Sequence, residues 1–121
     1  MSRVWHSGGM ISEDDVRRVA LSLPKTTEKP SYGTPGFRVG DKLFARIREE
    51  GDLLALWVDS EDEKAALIAA EPEKFTTMPH YDGYPMLLVR FAALDETELR
   101  ELLTDSWLIR APQKVRALVD G

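Results

Sequence analysis

Lys42-Leu43-Phe44-Ala45-Arg46-Ile47-Arg48, then Glu49-Glu50-Gly51-Asp52, then Leu53-Leu54-Ala55-Leu56-Trp57-Val58, is the stretch on which the fold turns. The first run alternates with period two, as a strand does when one face is covered and the other is not. Leu43, Ala45 and Ile47 fall on one side, and Lys42, Phe44, Arg46 and Arg48 on the other. Glu49 to Asp52 has the length and composition of a hairpin loop. If Arg48 pairs with Leu53, then Ile47 faces Leu54, Ala45 faces Leu56 and Leu43 faces Val58, which collects an aliphatic set on one face. The same register places Phe44 beside Trp57 and Arg46 beside Ala55. It predicts Leu43, Ala45 and Ile47 to be much more buried than Arg46 and Arg48.

Working outward, Phe37 and Val39 flank Arg38 in a preceding strand, and Gly40-Asp41 makes the turn into the hairpin. Residues 24–36 hold Pro24, Pro30, Gly33, Pro35 and Gly36 and read as an irregular packed loop. Before it, Ser12 can cap a helix whose first turn holds Glu13, Asp14 and Asp15, and Val16, Val19, Ala20 and Leu23 form its apolar stripe. After the hairpin, Ser60 and Glu63 form a capping box, with Leu67 and Ile68 as apolar surface. Residues 75–85 read as a loop, and Met86 to Phe91 as a buried strand. Asp95 and Glu98 open a third helix with Leu99, Leu102, Leu103 and Trp107 inward. Pro112 suits the first turn of a last one. The predicted order is αβββαβαα, with strands near 37–39, 42–48, 53–58 and 86–91. That is an α+β class built on an antiparallel sheet of four or more strands. Residues 1–11 read as a flexible tail, and 12–121 as one domain.

Composition narrows the chemistry. The 121 residues are 43% hydrophobic and 31% charged, an ordinary globular balance. Cysteine is absent, which excludes disulfides, thiolate metal sites and a cysteine nucleophile. The first ten residues lack the apolar core of a signal peptide, and no apolar run suits a membrane span, so a cytoplasmic protein is expected. His6 and His80 are the histidines. His80 with Asp82 offers two ligands without a convergent set, so neither a metal nor another cofactor is expected. No phosphate-cradling glycine motif and no nucleophile elbow occurs.

Net charge is −5, an acidic balance that is unusual for a nucleic-acid binder. Its distribution is uneven. Residues 1–50 carry 9 basic and 7 acidic side chains, 51–105 carry 4 and 13, and 106–121 carry 3 and 1. Two readings stand for the basic ends: solvated surface, or a basic face assembled from both. The hairpin carries the constellation with most chemical content. Lys42, Phe44, Arg46 and Arg48 interleave a ring with cations, and Trp57 lies across. Such a face can meet phosphates and bases. It can equally be a two-sided sheet whose rings pack under a helix while the arginine stems reach outward.

Three stretches taken together resemble the MmcQ/YjbR-like family. They are Tyr32-Gly33-Thr34-Pro35-Gly36-Phe37-Arg38-Val39 with Lys42-Leu43-Phe44-Ala45-Arg46; Pro79-His80-Tyr81-Asp82-Gly83-Tyr84-Pro85 with Leu88-Val89-Arg90; and Trp107 with Ala111-Pro112. The resemblance runs over about residues 12–118. It implies a double-wing arrangement, similar to the C-terminal domain of a phage transcription factor, and no catalytic activity. Members are commonly called DNA-binding proteins. The family pattern often places lysine after Ala-Pro, where this chain has Gln113. The resulting expectation is a non-enzymatic DNA-binding protein that uses Arg38, Lys42, Phe44, Arg46, Arg48, Trp57, Arg110, Lys114 and Arg116. The alternative is a protein-interaction or small-ligand module using the loop of His80, Tyr81, Asp82 and Tyr84.

Overall fold

The computed structural model describes residues 11–120, so the expectations about the N-terminal tail, with Trp5 and His6, lie outside the described residues. Ile11, expected in that tail, is buried and its amide donates to the Phe91 carbonyl at 3.2 Å. The elements are α1 (Glu13–Leu21), β1 (Thr26–Ser31), β2 (Thr34–Val39), β3 (Lys42–Ile47), β4 (Leu53–Trp57), α2 (Glu61–Ala70), β5 (Phe75–Thr76), β6 (Met86–Arg90), α3 (Glu96–Arg110) and α4 (Gln113–Asp120). One six-stranded antiparallel sheet runs β1-β2-β3-β4-β6-β5. The α+β class holds. No helix among the described residues is long and apolar enough to cross a membrane.

Two strands go beyond the predicted order. Residues 26–36, read as a loop, belong instead to a hairpin of β1 and β2, which turns at Tyr32 and Gly33 with φ of 53° and 83°. Positive φ at both central residues is what a two-residue hairpin turn needs to follow strand twist. Pro30 is tolerable because β1 is an edge strand, and Pro35, opposite it in β2, lies outside the ladder to β3, which begins at Gly36. The second addition, β5, has two residues on the far edge and is too short to show a period.

The hairpin register holds where the ladder exists: Ala45 faces Leu56, Arg46 faces Ala55 and Ile47 faces Leu54. The predicted alternation fails at its start. Between β2 and β3 the register shifts, with Phe37 opposite Ala45 but Arg38 opposite Leu43, so Phe44 is an extra residue. An extra residue in one strand makes a bulge and interrupts the alternation of faces. Phe44 therefore joins Ala45 and Ile47 in the main core, and Leu43 is only half-buried. The core is closed by Val16, Val19 and Ala20 of α1 and by Leu99, Leu103 and Trp107 of α3.

Helix α3 also enters the sheet. The next position along β3 and β4 would pair Phe44 with Trp57. Instead the Ser106 hydroxyl donates to the Phe44 carbonyl at 2.5 Å and accepts from the Trp57 amide at 2.9 Å. One turn further on, Arg110 Nε donates to the Leu43 carbonyl at 3.1 Å. Past Ser106 the start of β3 stays with β2, while β4 stays with β6 and the Val58 amide reaches the Pro85 carbonyl. The sheet is split at this end, and a helix fills the split.

Ser106→Ala should therefore leave two inner backbone groups unpaired and cost about 1–3 kcal/mol. Urea unfolding reads the loss, and amide exchange at Trp57 should quicken by more than the global change explains. An unchanged midpoint would mean that the hydroxyl does not hold the split.

Candidate functional site

Two of the stretches that carry the family resemblance meet on Arg46. The carbonyl of Ser31 accepts from Arg46 Nε at 3.3 Å, and the Tyr81 phenol oxygen accepts from Nη1 at 3.5 Å. Glu49 pairs with Nη2 at 3.0 Å, and the Tyr32 ring centroid lies 4.9 Å from the guanidinium carbon. The Arg46 side chain keeps only 5% of its exposure. Arg48 is next in the row. It donates to the same phenol oxygen at 3.2 Å, pairs with Glu50 at 3.3 Å and lies 3.6 Å from Glu49. Burial works against the Arg48 charge, but the bonds to Tyr81 and Glu50 outweigh it, so its pKa is raised. The Glu49 carboxyl is held below its usual range, first by its own backbone amide and then by Arg46 and Arg48.

The predicted order of exposure is thus reversed at its key residue: Arg46 is buried, Arg48 is mostly covered, and Leu43 is more open than Arg46. A guanidinium taken out of water needs partners on most of its donors. The hairpin loop supplies the carboxylates and the 79–85 segment supplies the phenol. Phe44, also predicted on this face, lies in the core.

The loop is pinned from behind by a residue that the sequence does not single out. Lys64 of α2 is buried, and its ammonium donates to the carbonyls of Tyr81 at 2.8 Å and Tyr84 at 2.9 Å. Tyr81 is buried against Ala55 and Leu88, with His80 edge-on to its ring at 4.9 Å between centroids. His80, Asp82 and Tyr84 are exposed. Among the described residues, no group of three or more His, Asp or Glu side chains is placed to hold a metal ion.

The remaining candidates gather elsewhere. Gly40, at φ 57° in the β2–β3 turn, lies so close to α4 that a Cβ there would meet Pro112 Cγ at 2.5 Å. That contact brings the turn beside the α3–α4 junction. Arg38 is half-buried, and Lys42, Lys114 and Arg116 are exposed. Arg110 lies with its guanidinium carbon 4.2 Å from the centre of the Trp57 ring, and burial lowers its pKa. Among the described residues, none of Arg38, Lys42, Arg110 and Lys114 takes part in an ion pair. The nine predicted contacts therefore divide: Phe44, Arg46 and Arg48 are engaged inside the fold, Arg38, Lys42, Trp57, Arg110 and Lys114 lie around the turn–helix junction, and Arg116 lies beside Asp59 and Asp105.

The family model described as YjbR matches residues 21–109. An uncharacterized protein of Mycobacterium tuberculosis (strain ATCC 25618 / H37Rv), Rv2570, is 37% identical over 123 residues, covering 88% of this chain and 93% of that protein. Mb2600, an uncharacterized protein of Mycobacterium bovis, matches to the same extent, 37% over 123 residues. The crystal structure of Deinococcus radiodurans protein DR2400, with a DUF419 domain, superposes with a TM-score of 0.70 at 27% identity, over 84% of this chain and 79% of that one.

Arg46→Ala should destabilise the fold by about 2 kcal/mol, through lost charged hydrogen bonds and packing. Tyr81→Phe, which removes only the shared acceptor, should cost about 1 kcal/mol. Thermal unfolding of both variants checks the order. Equal stability of Arg46→Ala and wild type would show that the guanidinium is not built into the fold.

Proposed function

We propose that this chain, which belongs to the YjbR family, is a non-enzymatic DNA-binding protein that grips the phosphate backbone where the β2–β3 turn meets the start of α4. The Gly40–Pro112 contact carries the reading. It draws cations from two distant parts of the chain, Arg38 and Lys42 on one side and Arg110 and Lys114 on the other, around one turn. A cation already bound to a carboxylate has little left for phosphate. These four have no such partner among the described residues, whereas Arg46 and Arg48 share Glu49 and Glu50. Trp57 holds the Arg110 guanidinium at the patch by stacking under it.

The chemistry is that of phosphate positioning, not base reading. Lysine and arginine neutralise phosphates and release condensed counterions, and this supplies affinity without sequence preference. The acid of residues 51–105 opposes the same polyanion, so the net attraction is local and falls with salt.

Lys42→Ala and Lys114→Ala should each weaken binding to every duplex alike, and each should flatten the slope of log K against log salt by about 0.9. Arg46→Ala, measured below its unfolding temperature, should leave that slope unchanged. Fluorescence anisotropy with a labelled duplex at two salt concentrations reads both effects. No binding by wild type at about tens of micromolar protein in low salt, where phosphate contacts count most, would overturn the reading. So would a slope that responds to Arg46 but not to Lys42 or Lys114.

A further inference from the structure

A cavity of about 260 Å³ lies between α2 and α3, closed at the back by the end of β4 and by β5. Two helical stripes face each other across it. Helix α2 presents Glu63, Leu67 and, just past its end, Glu71, which recur every four residues. Helix α3 presents Glu98, Glu101, Leu102, Asp105 and Ile109 along one side. The floor is apolar, made by Leu67, Phe75, Leu102 and Ile109, and the rim is carboxylate.

The rim is charged unevenly. Two of the carboxylates are already partnered, by the Lys74 ammonium, which binds Glu71 at 3.2 Å and Glu98. Asp59, Glu63, Glu101 and Asp105 have no cation partner among the described residues. The Asp105 carboxyl is pushed above its usual range, by burial first and by the Asp59 charge second. Asp59 and Asp105 therefore repel along a wall that also exposes apolar surface, with Arg116 the basic side chain that shares a depression with them.

We propose that this groove docks a basic peptide segment of a partner protein, one large apolar side chain seated on the floor and flanking lysines or arginines on the rim. Charge complementarity selects the sign of the occupant, and rules out a nucleic acid at this place. Size selects the anchor: the cavity falls below the roughly 300–1,000 Å³ of sites that enclose drug-sized ligands, yet it suits one side chain. Lys74 shows the pairing chemistry in miniature, an ammonium held between Glu71 and Glu98 with Phe75 beside it. The proposal is independent of the phosphate patch, which uses other residues apart from the shared Trp57.

The test is an NMR titration of the full chain with three synthetic octapeptides. One is basic with two central leucines, one basic with serines in their place, and one acidic with the leucines kept. The first should shift the amides of Leu67, Leu102, Asp105 and Ile109 saturably, and the other two should bind at least tenfold more weakly. Glu101→Lys should reduce the affinity for the first peptide about tenfold, as loss and reversal of a rim charge demands. Lys29→Gln, exposed on the far edge strand β1, should leave it unchanged. No saturable shift, equal binding by the serine peptide, or shifts centred elsewhere would each overturn the proposal. Two further results would do so by naming a different occupant. In one, removal of residues 1–10 moves the same amides and tightens peptide binding, so that the chain fills its own groove. In the other, the same amides move with protein concentration alone, so that a second copy does.

Discussion

The Ser106 hydroxyl stands where the ladder between β3 and β4 would otherwise close, donating to Phe44 and accepting from Trp57. Both candidate surfaces depend on it. Beyond this point β3 leans with β2 toward Pro112, and β4 carries Trp57 and Val58 toward the groove. A split sheet normally leaves inner carbonyls and amides without partners, at about 1–3 kcal/mol for each unmade bond. Ser106 and Arg110, four residues apart and so on one face of α3, satisfy three of those groups. The bulge at Phe44 belongs to the same device. It sends a large ring into the core under α3 and turns Leu43 toward Arg38, leaving the Leu43 carbonyl to Arg110.

Charge follows burial more closely than it follows sequence. Arg46 and Arg48 form the densest cation pair near the hairpin, and on an exposed strand they would be the natural phosphate ligands. A buried guanidinium without partners would cost several kcal/mol, so the fold surrounds Arg46 with a carbonyl, a phenol and a carboxylate. The cations left for solution are the scattered ones, which come together only because Gly40 admits the Pro112 ring. Any side chain at position 40 would drive the turn and the helix start apart and disperse the patch.

How much of this could be read from residues alone differs by element. The β3–β4 register was legible, because period-two alternation and a short acidic loop leave one pairing that collects the aliphatic residues. The bulge was not, since one extra residue leaves no trace in an alternating run until the neighbouring strand is known. The β1–β2 hairpin was obscured by Pro30 and Pro35, which weigh against strands unless it is recognised that one sits on an edge strand and the other beyond the end of an inner ladder. Tyr32 and Tyr81 lay within stretches already singled out, but their convergence on Arg46 is a fact of tertiary packing. Lys64 carried no signal at all. A lysine after three acidic residues in a helix's first turn reads as solvent-facing, and only the carbonyls of Tyr81 and Tyr84 give its ammonium a reason to be buried.

Trp57 is where the opposed surfaces adjoin. Arg110 lies over its ring while the ring also lines the acidic groove, and its Nε1 is buried with no acceptor among the described residues. An unsatisfied indole donor is a cost, and it has to be offset by what the ring does as a surface. Stacking a guanidinium at 4.2 Å offsets part of it, and burial of apolar area offsets more. The ring also separates a cationic surface from an anionic one by its own thickness, well inside the roughly 8 Å over which physiological salt screens charge. Arg110 is therefore held by the aromatic face and the Leu43 carbonyl, and not by the rim carboxylates. That keeps its charge on the side where Lys42 and Lys114 lie, while Asp105 and Asp59 share a depression with Arg116 on the other. A chain of net charge −5 can present a local positive patch only if its acids are kept from collapsing onto it. The indole, fixed at the split that Ser106 creates, stands between Arg110 and the groove.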